Sequence, residues 1–160
     1  AIGRLVIPAA EALGMKTVGY DPFLDAERAA TISQNLRFTD DLLDLCASCD
    51  YITIHVPATP KTKGMIGADE IAAMKEGAAF LNFSRDTLVD NDAMRAGLTS
   101  GKVRRYVTDF ATPEVMTMEG ALVLPHLGAS TAEAEENCAE MAVREVMDYL
   151  ETGKKVHCVN

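Results

Sequence analysis

At 160 residues the chain suits one compact domain, long enough to bury roughly two thirds of the surface its unfolded form exposes. Its 24 acidic against 15 basic residues leave a formal charge of −9, and the basic residues at 61–63, 102–105 and 154–155 fall in short scattered groups, so nucleic acid is excluded as an expected partner. The sequence has no apolar run of bilayer length, no secretory pattern at its start and only Cys46, Cys49, Cys138 and Cys158, which excludes a membrane or disulfide-framework protein and makes the cytoplasm the expected location.

Apolar residues at helical spacing from Ile2 to Leu13 predict an opening helix, with Gly14 placed to end it and Pro8 as a local weakness. Lys16 to Tyr20 reads as a strand stopped by Asp21-Pro22. Short helices are expected over 25–33 and 40–48, the second with Asp40 and Asp41 at its positive end.

The β-branched run Tyr51 to Val56 predicts a strand that Pro57 stops. Beyond it the pattern predicts a helix near 69–75, a strand over 78–83, a helix over 90–98, and strands near 104–109 and 121–124. The last helix spans about 131–152, with a capping box from Ser130 and Glu133 and a closing Gly153. Strands alternating with helices imply right-handed crossovers, and hence a Rossmann-type α/β fold: a doubly wound, mainly parallel sheet with helices on both faces.

A dinucleotide site needs a strand, a tight glycine turn, a helix N-terminus and then an acidic residue roughly 20 positions on. Gly3 fits only the last glycine of that turn, so the expectation is a chain that starts inside its own phosphate loop and lacks the first strand. Asp21 stands where a carboxylate holds the ribose hydroxyls and repels a 2′-phosphate, favouring NAD over NADP. Taken alone, Gly3 is equally a packing glycine and Asp21 a turn residue.

Five ordered motifs decide between these readings. They are Gly19-Tyr20-Asp21-Pro22, His55-Val56-Pro57, Leu81-Asn82-Phe83-Ser84-Arg85, Asp109-Phe110 followed by Glu114, and Leu124-Pro125-His126-Leu127-Gly128-Ala129-Ser130-Thr131. Together they resemble the NAD-binding domain of the D-2-hydroxyacid dehydrogenases over nearly the whole chain. The resemblance implies that residues 1–153 are an N-terminally truncated NAD-binding domain and that 154–160 begin the return to a substrate domain this chain lacks.

It implies hydride transfer between 3-phosphoglycerate and NAD on the way to serine, in a homodimer whose partner is a small 2-hydroxy acid. Another hydroxy acid such as glycerate or lactate, or a non-enzymatic NAD(H)-sensing protein on the same fold, stays open.

By the same resemblance, Ala1, Ile2 and Gly3 face the pyrophosphate and Asp21 the adenosine ribose. Val56 and Pro57 line the adenine side. Phe83, Ser84 and Arg85 flank the nicotinamide, and Asp109, His126, Gly128 and Ala129 complete that end. The catalytic residues are Arg85, Glu114 and His126. Oxidising a secondary alcohol needs a base within hydrogen-bond reach of the hydroxyl, and an imidazole with a carboxylate partner supplies one. A guanidinium pairs in two parallel bonds with a substrate carboxylate. Separately, each of the three reads as a structural histidine or an ordinary surface charge.

Two features depart from the family pattern. Asp86 replaces the usual glycine after Arg85, and Ala111-Thr112-Pro113 replaces the commoner acidic run before Glu114. Cys46 and Cys49 form a C-x-x-C with no second pair to complete a zinc site, so packing is their expected role and no metal is expected.

Overall fold

The computed structural model describes residues 2–157, and its elements alternate between helix and parallel strand. Helix α1 covers Gly3–Ala12 and continues through Pro8, which removes one backbone donor without ending the helix. Gly14 adopts φ 81°, the left-handed conformation expected of it. Strand β1, Val18–Tyr20, leads to helix α2, Ala26–Ala30, whose first turn is held by the Asp25 carboxylate accepting from the Arg28 N–H at 2.8 Å. Strand β2, Arg37–Thr39, pairs in parallel with β1 in a two-stranded sheet. The sequence does not predict it, because Arg37-Phe38-Thr39 holds a single apolar residue and shows no strand pattern.

Helix α3, Leu42–Ser48, begins at Asp41, whose side chain accepts from the Leu43 N–H at 2.9 Å. Strands β3 (Tyr51–Ile54), β4 (Ala78–Asn82), β5 (Val103–Thr108) and β6 (Ala121–Val123) form a four-stranded parallel sheet in that order. Helices α4 (Ala68–Ala73), α5 (Asn91–Ser100) and α6 (Pro113–Met116) connect them. The short α6 and a 3₁₀ turn at Asp86–Leu88 lie between the elements that the sequence predicts.

Side chains alternate across a strand, and register makes the alternation collective. Ile52, Phe80, Tyr106 and Ala121 form one cross-strand row, and Ile54, Asn82, Thr108 and Val123 the next row on the same face. Ile52, Phe80, Tyr106 and Ile54 are buried and share one core with Ile66, Ile71, Met74, Leu88, Met94 and Val115. Each such side chain contributes about 1.5–3 kcal/mol by leaving water. Cys46 belongs to this core at 0% exposure, so its thiol is a packing group. Burial pushes its pKa up to about 12, far from the range of a reactive thiolate.

The chain divides into two compact units, one ending at Pro125 and the other beginning at His126. The second is built on helix α7, Ala132–Thr152, closed by Gly153 at φ 69°. Its N-cap is Thr131 and not Ser130: the Thr131 hydroxyl accepts from the Ala134 N–H at 3.1 Å. Ser130 is instead held in the preceding turn, its N–H donating to the Leu127 carbonyl at 3.1 Å.

Candidate cofactor and active site

The register of the four-stranded sheet defines the site. Ile54, Asn82, Thr108 and Val123 end their strands in one row, so His55, Phe83, Asp109 and Leu124 follow along the same carboxyl edge. The Leu124 N–H donates to the Thr108 carbonyl at 2.8 Å, extending that edge by one bond. Open parallel sheets hold ligands outside this edge, because the chain there leaves the ladder and presents loops.

At β3 the edge carries half-buried His55 and Val56, then exposed Pro57. The Thr62 hydroxyl donates to the Pro57 carbonyl at 2.7 Å, pinning the loop. His55 Nε2 lies 3.0 Å from the Thr53 hydroxyl, and burial pulls its imidazole pKa below the ordinary value. At β1, half-buried Asp21 forms a turn in which one carboxylate oxygen accepts from the Phe23 N–H at 2.9 Å.

The turn after β4 is organised by Asn82, which is fully buried. Its Nδ2 donates to the Arg85 carbonyl at 2.8 Å and its Oδ1 accepts from the Ser84 N–H at 3.1 Å. The Ser84 hydroxyl donates to the Ile54 carbonyl at 2.7 Å, tying this turn to the neighbouring strand. Ser84 therefore spends its side chain on the scaffold, while Phe83 is 38% exposed and Arg85 is exposed. The Arg85 guanidinium donates to the Ser84 carbonyl at 2.6 Å. Asp86 directs a carboxylate oxygen to the Thr87 N–H at 2.8 Å and starts the 3₁₀ turn, which gives the departure from glycine a local structural use.

Asn82 stands inside the Leu81-to-Arg85 motif, which gives it no role of its own. Its signal was present, since a polar amide ends an otherwise apolar strand, and buried amides persist only when bonded.

Beyond β5 come half-buried Asp109 and Phe110, then α6 with exposed Glu114. The Thr112 hydroxyl caps α6 by accepting from the Val115 N–H at 3.3 Å, and Pro113 occupies its first turn. The Ala111-Thr112-Pro113 run therefore builds a defined platform for Glu114. Glu114 lines a cleft of about 440 Å³ with Asp86, Asp90, Tyr106 and Phe110. Arg85 is not among the residues lining that cleft.

Of the residues expected at the cofactor, Val56, Pro57, Phe83, Ser84, Arg85 and Asp109 are brought to one edge of the four-stranded sheet, and Asp21 to the matching end of β1. His126, Gly128 and Ala129 are exposed at the start of the second unit. Ile2 is 58% exposed, and a Cβ added to Gly3, in the first turn of α1, would meet open space. Ala1 and Cys158 lie outside the described residues.

This α/β unit with its ligand edge is the architecture of a nucleotide-binding domain, and residues 1–128 match the family described as D-isomer specific 2-hydroxyacid dehydrogenase, NAD binding domain. The chain belongs to that family. Among its relatives, the D-3-phosphoglycerate dehydrogenase of Methanocaldococcus jannaschii is 36% identical over 155 residues, covering 93% of this chain and 29% of the relative. That of Mycobacterium tuberculosis is 39% identical over 141 residues, covering 84% of this chain and 26% of the relative. The chain thus spans under a third of the length of these relatives.

Among solved structures, a D-lactate dehydrogenase from Sporolactobacillus superposes with a TM-score of 0.83 at 26% identity, covering 99% of this chain and 52% of that one. An NAD-complexed D-isomer specific 2-hydroxyacid dehydrogenase from Lactobacillus delbrueckii shares the fold with a TM-score of 0.84 at 23% identity, covering 99% of this chain and 53% of that one.

The residues fit the family's cofactor by the chemistry they present. The half-buried Asp21 carboxylate suits a ribose diol, Val56 and Pro57 are apolar, and Phe83 is partly exposed two residues before the exposed Arg85.

Proposed function

We propose that this chain is the cofactor-binding half of an NAD-dependent D-3-phosphoglycerate dehydrogenase, an oxidoreductase that feeds serine formation. The single observation that carries the reading is the in-register carboxyl edge, which gathers Val56, Phe83, Arg85 and Asp109 at the end of the sheet where open parallel sheets hold ligands. The substrate reading is supported by the relatives at 36% and 39% identity, both of which are named D-3-phosphoglycerate dehydrogenases.

Bound NAD supplies the hydride acceptor at this edge. Asp21 holds the adenosine ribose and disfavours a 2′-phosphate there. Arg85 pairs with the substrate carboxylate through two parallel bonds, which fixes the reacting carbon in place. His126 takes the hydroxyl proton at an imidazole nitrogen, and the Glu114 carboxylate holds the correct tautomer and stabilises the imidazolium. In the reverse direction the same pair returns the proton.

Residues 1–153 form the cofactor domain in this reading, and 154–160 lead to a substrate domain that closes over the site and excludes water. The isolated chain is therefore a poor catalyst. The protein is also a cytoplasmic homodimer: exposed Leu5 and Leu13 at one end of the chain, and Val146 and Leu150 at the other, leave apolar surface for further contacts.

The test is a substrate panel on the intact enzyme with NAD. The expected result is a kcat/KM for 3-phosphoglycerate well above those for glycerate and D-lactate. Preference for an unphosphorylated hydroxy acid would reassign the substrate, and absence of turnover with any of them would remove the enzymatic reading.

A further inference from the structure

Glu114 rides on α6, a helix of four residues. Helices this short do not hold themselves, because nucleation costs more than their few hydrogen bonds return, and their last carbonyls have no partner within the helix. The Thr112 hydroxyl and Pro113 secure the N-terminal end.

The other end is secured from outside, by Arg95 on α5. Its Nη2 donates to the Glu114 carbonyl at 2.9 Å and to the Thr117 hydroxyl oxygen at 3.2 Å. Its Nη1 donates to the Thr117 carbonyl at 3.4 Å. The Thr117 hydroxyl donates in turn to the same Glu114 carbonyl at 2.9 Å. A guanidinium thus meets the negative end of α6 with a fork that a lysine cannot reproduce.

The base from which Arg95 reaches is rigid. Met94 and Gly97 on α5 are buried, Asp90 caps its start by accepting from the Ala93 N–H at 2.9 Å, and Gly101 closes it in the left-handed conformation. Any motion of Glu114's backbone must therefore break bonds to an element anchored in the core.

We infer that Arg95 is a positioning residue for Glu114: it clamps the backbone of α6 to α5 so that the carboxylate is presented in one fixed place. The inference rests on the reading of Glu114 as the carboxylate partner of the catalytic imidazole. A carboxylate beside an imidazole raises its pKa, and the oxidising direction requires the neutral imidazole, so kcat/KM climbs with pH through that pKa. A displaced carboxylate lowers the pKa and moves the acidic limb of the profile to lower pH.

The experiment measures pH profiles of kcat/KM for 3-phosphoglycerate in the intact enzyme carrying Arg95→Met, Arg95→Lys, Thr117→Val or Glu114→Gln, with NADH affinity and Tm measured alongside. Arg95→Met is expected to lower kcat roughly 10- to 100-fold, the cost of a small misplacement of a reacting group, and to move the acidic limb in the same direction as Glu114→Gln with NADH affinity unchanged. Arg95→Lys restores part of the rate. Thr117→Val, which keeps the arginine and folds more safely, moves the limb by less in the same direction.

A limb that shifts in Glu114→Gln but stays at its original pH in both Arg95→Met and Thr117→Val overturns the clamp and leaves Glu114's role standing. A limb that Glu114→Gln does not move overturns Glu114's role, and the inference about Arg95 falls with it.

Discussion

Asn82 and Arg85 are joined across one turn: the buried Asn82 amide donates to the Arg85 carbonyl at 2.8 Å while its own oxygen accepts from the Ser84 N–H at 3.1 Å. A single side chain therefore satisfies both the donor and the acceptor of the turn that carries the guanidinium. Asn82→Ala leaves these groups without their partner, at a cost of about 1–3 kcal/mol for each buried group left unsatisfied. Urea unfolding should show the midpoint falling with an unchanged slope.

Gly97 on α5 is tightly enclosed. An added Cβ would lie 2.7 Å from Ile71 Cγ2 and 3.2 Å from Val103 Cγ2. Alanine ordinarily strengthens a helix by about 1 kcal/mol relative to glycine. The clash prevails here, because both neighbours are buried β-branched side chains with little room to turn, and overpacking a core costs about 1–3 kcal/mol. Thermal unfolding of Gly97→Ala should occur below that of the parent; a higher Tm would mean that α4 and β5 yield more easily than their burial implies.

His55 makes stability depend on pH. Burial lowers its folded-state pKa, so the unfolded chain binds the proton more readily. Its contribution is fully present above the unfolded value near 6.5 and is lost as pH falls through the lower folded value. Melting temperatures should drop between pH 7.5 and 5.5, and His55→Gln should flatten that slope. An equal slope in the variant would assign the dependence to groups other than His55; Asp44, held low by its bond from Arg37, loses its contribution only at more acidic pH, below the ordinary carboxylate range.

Cofactor choice tests Asp21. Replacing this half-buried carboxylate with Ser removes a like charge from the position facing a 2′-phosphate, and the ratio of kcat/KM with NADP to that with NAD should rise roughly tenfold or more. A ratio that does not move would return Asp21 to the role of a turn residue.

The parts of this fold that repeat were legible in the sequence. Tyr51 to Ile54 announces β3 by its β-branched residues and the proline after it, and Gly14 and Gly153 mark helix ends that adopt left-handed φ values of 81° and 69°. What was not legible is short or depends on distant contacts. Strand β2 exists through its pairing with β1, and α6 through Thr112, Pro113 and Arg95, none of which a local pattern weighs together. The site divides the same way. Arg85 and His126 stand in recognisable motifs, whereas the hydrogen bonds that hold the Arg85 turn, from Asn82 to the Arg85 carbonyl and from Ser84 to β3, emerge only on folding.

His126 is proposed here as the base of an NAD-dependent oxidation. The most direct measurement is steady-state turnover of 3-phosphoglycerate by the intact enzyme carrying His126→Ala, with NADH binding followed by fluorescence in the same preparation. The expected result is a kcat lower by about 10²- to 10⁴-fold, the usual contribution of a positioned base, with NADH binding retained. Turnover at the parent rate with NADH bound would contradict it.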